Sequence, residues 1–235
     1  MPTLQKSHSP SWEKEIIGFA YFFVLMIKVV PFIYEDLDDL YANTYALIDE
    51  NNSCVVIDPA KNNLSLVNYI KNNNFTLKAV LLTHGHIDHM RGVDVLIDNF
   101  HCPLYIGFYD VDKLKNPYDN CSLFIGGETI INSKPDTISD KQVLKCLNED
   151  IIVIETPFHT SGSVCFYLPN SKCLFTGDFL FSGSVGRSDL PSAMPKEFNN
   201  SIRKILALPK DIKIYPGHGK STTLAQECET NPFVK

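Results

Sequence analysis

The stretch Thr83-His84-Gly85-His86-Ile87-Asp88-His89 puts three imidazoles and a carboxylate within six residues, directly after the apolar run Leu77-Lys78-Ala79-Val80-Leu81-Leu82. That run reads as a buried strand, so the cluster falls on the loop leaving its C-terminal end. Such loops carry the ligand sites of open α/β sheets. Neutral imidazole nitrogens and ionised carboxylates are the usual ligands of zinc and related divalent ions. In an extended loop His84 and His86 point the same way, while Asp88 and His89 come round the next turn to a second position. One string therefore starts two adjacent metal sites. The whole chain holds seven histidines, and chance rarely sets three of them side by side.

Working outward, the same arrangement recurs. Ile151 to Glu155 is an apolar strand followed by Thr156-Pro157-Phe158-His159-Thr160-Ser161-Gly162-Ser163. Val164 to Leu168 and Lys172 to Thr176 form a hairpin whose second strand runs into Gly177-Asp178. Ile212 to Tyr215 leads into Pro216-Gly217-His218-Gly219. A single His or Asp after a strand is usually a cap or a surface group. Four strand ends bearing candidate ligands in one chain fit one metal pocket at one edge of a layered sheet structure.

The rest supplies the layers. Strands are expected over residues 27–33, 43–48 and 53–58, the last two joined by the turn Asp49-Glu50-Asn51-Asn52. Leu64, Val67 and Ile70 recur at near-helical spacing, and Val93, Leu96, Ile97 and Phe100 predict a helix beginning just after His89, its amides facing the site. Residues 103–150 read as short strands and loops. A helix from about Pro195 carries Phe198, Ile202, Ile205 and Leu206 on one face. His8 and His101 read as surface residues.

The composition, with 44% hydrophobic and 20% charged residues over 235 positions, is that of a soluble globular protein. A net charge of −6 without a dense basic cluster excludes general affinity for nucleic acid. Seven scattered cysteines with no C-x-x-C pair indicate reduced thiols and a cytoplasmic setting. Ile16 to Ile27 is an apolar run of twelve residues. As a helix it would reach about 18 Å against a hydrocarbon core of about 30 Å. We therefore expect residues 1–25 to be a leader or upstream extension, Met26 the functional start, and 26–235 one domain. A short membrane anchor or targeting leader is the alternative.

The ordered motifs THGHIDH, TPFHTSGS, LFTGDFLF, GSVGRSDLP and YPGHG resemble the metallo-β-lactamase fold superfamily over roughly residues 27 to 235. The similarity is greatest to its small, single-domain, glyoxalase II-like branch (hydroxyacylglutathione hydrolase-like). The resemblance implies an α/β fold, an αββα sandwich of two mixed sheets flanked by helices. It assigns His84, His86 and His159 to a first metal, Asp88, His89 and His218 to a second, and Asp178 to both. Two divalent ions are implied, zinc foremost, with iron or manganese admitted by the same ligands. The implied reaction is hydrolysis of a small-molecule thioester such as S-lactoylglutathione by a hydroxide shared between the ions, with Asp88 also orienting the nucleophile. No nucleic-acid or membrane partner is implied.

Some positions depart from the family's habit. Phe158 and Phe179 put bulk beside the pocket, which bears on substrate size, while Ser161 and Lys220 replace frequent prolines. Arg187 and Asp189 either clamp each other and their loop or offer Arg187 to substrate. Lys220 is a candidate for a substrate carboxylate, against the default of a solvated lysine. Lys235 stands seventeen positions beyond His218. The helical domain that holds glutathione in larger glyoxalase II enzymes is therefore not matched, and weak recognition of glutathione is expected. An iron-dependent persulfide dioxygenase and a hydrolase of another ester or lactone class are the alternatives. A β-lactamase would usually show Cys at position 178 and no His at 89, and nuclease members usually carry a basic exosite. A non-catalytic module does not account for seven intact ligands.

Overall fold

The computed structural model describes residues 26–34 and 41–234. The expected leader, with His8, lies outside the described residues. The first sheet contains β1 (Lys28–Phe32), β2 (Thr44–Ile48), β3 (Ser53–Ile57), β4 (Thr76–Leu81), β5 (Leu104–Gly107) and β6 (Asp136–Ile138), in that spatial order. β1 to β3 pair antiparallel and β3 to β6 parallel. Then come β7 (Val143–Leu144), β8 (Ile151–Glu155), β9 (Val164–Leu168), β10 (Cys173–Gly177), the ribbon β11 (Leu180–Phe181) and β12 (Ser184–Val185), β13 (Lys213–Pro216) and β14 (Thr222–Thr223). The second sheet runs β14-β13-β10-β9-β8-β7, parallel only between β10 and β13.

The helices are α1 (Ser65–Asn72), α2 (Ile87–Met90), α3 (Val93–Phe100), α4 (Phe198–Leu206) and α5 (Leu224–Thr230). Side chains alternate across a strand, and here both faces are apolar. Val55 and Ile57 of β3 join Val164, Phe166 and Phe175 in the core between the sheets. Cys54 and Val56 join Leu66, Val67 and Ile70 of α1 with Val93 and Leu96 of α3 on the outer face. In the second sheet Cys165 and Tyr167 turn outward to Ile202 and Ile205 of α4. Each large aliphatic or aromatic chain so buried contributes about 1.5–3 kcal/mol. Four layers result, helices–sheet–sheet–helices, as the motifs implied. Strands covered on both faces read as continuous apolar runs, which is why β2, β9 and β10 are buried at every residue.

One local expectation is corrected. The segment after His86 is itself a helical turn, α2, and α3 begins only at Val93. The Gly92 amide at the start of α3 donates to the Pro59 carbonyl (2.7 Å) rather than facing the site. His101, exposed and left-handed at φ 51°, closes α3 at the surface as expected. Because β3, β4 and β5 are parallel, as are β10 and β13, the loops after them meet at one edge of the sandwich. Among the described residues no helix is long and apolar enough to cross a membrane.

Candidate metal centre

The loop after β4 brings in His84 and His86, the turn α2 brings Asp88 and His89, and the ends of β10 and β13 bring Asp178 and His218. His159 arrives from the loop between β8 and β9. His84 Nε2 lies 3.1 Å from His86 Nδ1, which lies 2.9 Å from His159 Nε2. His89 Nε2 is 3.2 Å from Asp178 Oδ1, and His218 Nε2 is 3.2 Å from Asp88 Oδ2 and 3.6 Å from Asp178 Oδ2. His159 Nε2 is 3.5 Å from Asp178 Oδ2. Three clusters of mutually close donor atoms emerge: His84, His86 and His159; His84, His89 and Asp178; Asp88, His89 and His218. Asp178 belongs to the second cluster and also stands 3.5 Å from His159 of the first and 3.6 Å from His218 of the third.

The hydrogen bonds behind these side chains decide which nitrogens face inward. Asp58, buried, accepts from the Thr83 amide (2.8 Å), the Thr83 hydroxyl (2.7 Å) and His89 Nδ1 (2.9 Å). With its own proton given to Asp58, Thr83 Oγ1 is left to accept from His84 Nδ1 at 3.1 Å. His159 Nδ1 donates to the Arg187 carbonyl at 2.7 Å. For His84 and His159 the outer bond fixes the tautomer that turns a bare Nε2 inward, and for His89 it orients the ring so that Nε2 faces Asp178, the usual way a protein orients metal-binding imidazoles. His86 Nδ1 can then satisfy at most one of the two Nε2 lone pairs beside it. His86 Nε2, His89 Nε2 and Asp178 Oδ1 are buried without a hydrogen-bond partner. Buried polar atoms without partners are costly, and a divalent cation is what a converging set of nitrogen and carboxylate lone pairs fits.

The electrostatics separate the two halves. Burial, reinforced by neighbouring imidazoles, holds His84 well below the ordinary histidine range and pushes His86 down to about 3. Both are neutral ligands at pH 7. Burial also opposes protonation of His89, but the carboxylates of Asp178, Asp88 and Asp58 outweigh it and raise its pKa well above the usual value. His218 is raised in the same way, chiefly by Asp178 against burial. Burial opposes ionisation of Asp88 and Asp178, yet the facing histidines hold both below the carboxylate range.

Glycines make room for this packing. Gly177 has φ +47°, and a Cβ there would stand 2.3 Å from Thr83 Oγ1. A Cβ on Gly186 would stand 1.8 Å from the Asp178 carbonyl oxygen.

The sequence pattern of the Metallo-beta-lactamase superfamily matches residues 37–218, a stretch that contains all seven converging ligands. The chain belongs to this superfamily. "Hydroxyacylglutathione hydrolase GloC" of Haemophilus influenzae is 33% identical over 196 residues, covering 82% of this chain and 92% of that protein. The crystal structure of "BLEG-1 B3 metallo-beta-lactamase" superposes with a TM-score of 0.81 at 33% identity, covering 89% of this chain and 99% of that one. That of "TTHA1623 in a di-iron-bound form" does so with 0.78 at 31% identity, over 87% of this chain and 100% of that one.

In this metallo-β-lactamase superfamily member, the seven candidate ligand side chains anticipated from sequence all converge. Phe158 and Phe179 do not narrow the cleft. Both are buried and pack on Phe198 of α4, with ring centroids 4.8 and 5.9 Å away. Lys220 is exposed and borders the neighbouring groove on β13, not the cleft over the metal ligands. Arg187 and Asp189 clamp each other through two hydrogen bonds of 2.7 and 2.8 Å, and both border that cleft.

Three supporting residues escaped the sequence reading. Asp58 is one, although it too follows an apolar strand and the same strand-end rule would have found it. Asp110, fully buried, accepts from the Gly85 amide, the Thr160 hydroxyl and the Gly162 amide at 2.7–2.8 Å, tying the two histidine loops together. The Asn43 side chain donates to the carbonyls of Pro216 and Gly219, fixing the His218 loop. Nothing in the sequence around Asp110 or Asn43 marks them.

Metal uptake should therefore be split by proton release. A metal entering at His84 and His86 meets imidazoles that burial keeps neutral, whereas one entering at His89 and His218 meets imidazoles whose protons the facing carboxylates favour. Calorimetric titration of the metal-free protein with zinc at pH 7, in two buffers of different ionisation enthalpy, should give buffer-dependent heat for one of two binding events. Buffer-independent heat for both would contradict the protonation assigned to His89 and His218.

Proposed function

We propose that this protein is a metal-dependent hydrolase that cleaves thioesters in the manner of glyoxalase II, with S-lactoylglutathione as a test substrate. The observation that carries the reading is Asp178, whose two carboxylate oxygens face His89 on one side and His159 and His218 on the other, within 3.2–3.6 Å. That is the arrangement for holding two ions side by side. The 33% identity with a hydroxyacylglutathione hydrolase supports the choice of substrate class.

When bound, divalent ions polarise a carbonyl and lower the pKa of water to about 7. The chain's own groups do the rest. Asp88, held by His218, would orient the attacking water. Asp58 keeps His89 in register, and the Arg187 carbonyl keeps His159 in register. Among the described residues lining the cleft, the carboxylates are the ligands Asp88 and Asp178 and the Arg187-paired Asp189. No carboxylic acid is left to protonate a leaving group. A thiolate departs without one, which favours a thioester over an amide. Zinc is the proposed ion, with iron and manganese admitted by the same N/O donor set.

The test is a panel assay on zinc-loaded and iron-loaded protein, following thiol release and oxygen consumption together. Thiol release without oxygen uptake is expected, with a rate that rises with pH through about 7 as a bound water ionises. Oxygen uptake with glutathione persulfide and no thioester cleavage would replace the hydrolase by a dioxygenase. β-Lactam opening is the second reading, favoured by the likeness to a B3 metallo-β-lactamase. A chromogenic β-lactam in the panel separates the two.

A further inference from the structure

The cleft over the metal ligands has a volume of about 730 Å³. Beyond the ligands, its lining includes Tyr118, Phe124 and Ile125 from the segment between β5 and β6, with Phe181, Leu190 and Pro191. We infer that the substrate carries an extended apolar arm, an alkyl chain of several carbons or an aryl group, which lies on Tyr118, Phe124 and Ile125. The inference rests on the hydrolytic reading above and names its substrate class.

Tyr118 and Phe124 are 54% and 58% exposed, yet their rings meet edge to face with centroids 5.5 Å apart. Large apolar rings left in water beside a cleft add little to the fold and mark a surface for a ligand. Their backbone, by contrast, is firmly held. Asn120, fully buried between them in sequence, donates from its side chain to the carbonyls of Lys113 and Thr129 (3.0 and 2.9 Å) and accepts from the Ser122 amide (2.9 Å). Its main-chain carbonyl accepts from the amide of Ile87, the residue before Asp88, at 2.9 Å. Arg91, at the end of the same turn, donates to the Ile125 carbonyl at 2.8 Å.

The aromatic wall is thus fastened directly to the turn that carries Asp88 and His89. A preset wall binds an apolar group without the cost of ordering a loop. The other charged groups at the cleft, Arg187 and Asp189, already neutralise each other. A short hydroxyacyl group would leave most of this wall untouched.

The arm can belong to the acyl or to the thiol side, so the test uses two series on the metal-loaded protein. One runs from acetyl to octanoyl on N-acetylcysteamine, and the other from ethanethiol to phenylmethanethiol on acetyl. A fully buried methylene is worth about fourfold in affinity, so kcat/KM should rise by about tenfold or more along at least one series. Phe124→Ala and Tyr118→Ala should flatten that rise. Phe108→Ala, also exposed but away from the cleft, should leave it intact. Measurable hydrolysis with both series flat would overturn the inference and leave the hydrolase reading standing. If no thioester is cleaved, the hydrolase reading falls and calorimetric binding of octanoate against acetate decides. Octanoate no tighter than acetate overturns the apolar arm. Octanoate about tenfold tighter, with the gain lost in Phe124→Ala, upholds it.

Discussion

Asp178→Ala is expected to empty both metal positions and abolish hydrolysis, whereas His218→Ala should chiefly empty one. The Asp178 side chain stands within 3.6 Å of His159 from one half of the centre and of His89 and His218 from the other. Its charge also holds the protons on His89 and His218 that a metal must replace. Removing a group that merely supports a ligand costs about 10- to 100-fold in metal affinity or activity. Removing a ligand shared by two ions should exceed that range. Elemental analysis of purified wild type, Asp178→Ala and His218→Ala, each loaded and dialysed identically, reads the result. A full metal complement in Asp178→Ala would remove the shared assignment, and equal loss in both variants would remove the distinction between positions.

Gly217→Ala should be nearly as damaging, though it deletes nothing. A Cβ at this position would stand 2.3 Å from Asp178 Oδ1, 2.6 Å from His89 Cε1 and 3.0 Å from the Gly177 carbonyl carbon. The methyl group must push the carboxylate and the imidazole aside. Overpacking of this kind costs about 1–3 kcal/mol of stability. The displaced Asp178 and His89 should lose at least the about 10- to 100-fold in metal affinity that a disturbed ligand orientation costs. Gly219→Ala is the control. Gly219 has φ +76° and open space around it, so alanine there is strained but strikes nothing. It should lower the melting temperature while the metal content stays that of wild type. If Gly217→Ala kept its metal and Gly219→Ala lost it, backbone strain rather than the clash would govern the loop.

By itself the sequence marked the buried strands along the chain and the candidate ligands that follow them. A strand covered on both faces must be apolar throughout, so the run before Thr83 and the run over 164–168 were legible as buried strands. A ligand that follows such a strand is placed by the chain within a residue or two. His84, His86, Asp88 and His89 therefore needed no tertiary information to be read as one cluster. The recurrence of strand ends put His159, Asp178 and His218 in the same pocket, and the family resemblance divided the seven between two ions.

What only the tertiary structure decided is which distant groups meet. Asp110 reaches Gly162 across 52 positions, and Asn43 reaches Gly219 across 176. Hydrophobic periodicity tells which side of an element is buried but not what faces a polar side chain there. For the same reason Phe158 and Phe179, adjacent in sequence to ligands, turn out to serve the core under α4. One step along a strand or loop reverses the direction of a side chain, so neighbours of a ligand point away from it as readily as toward it.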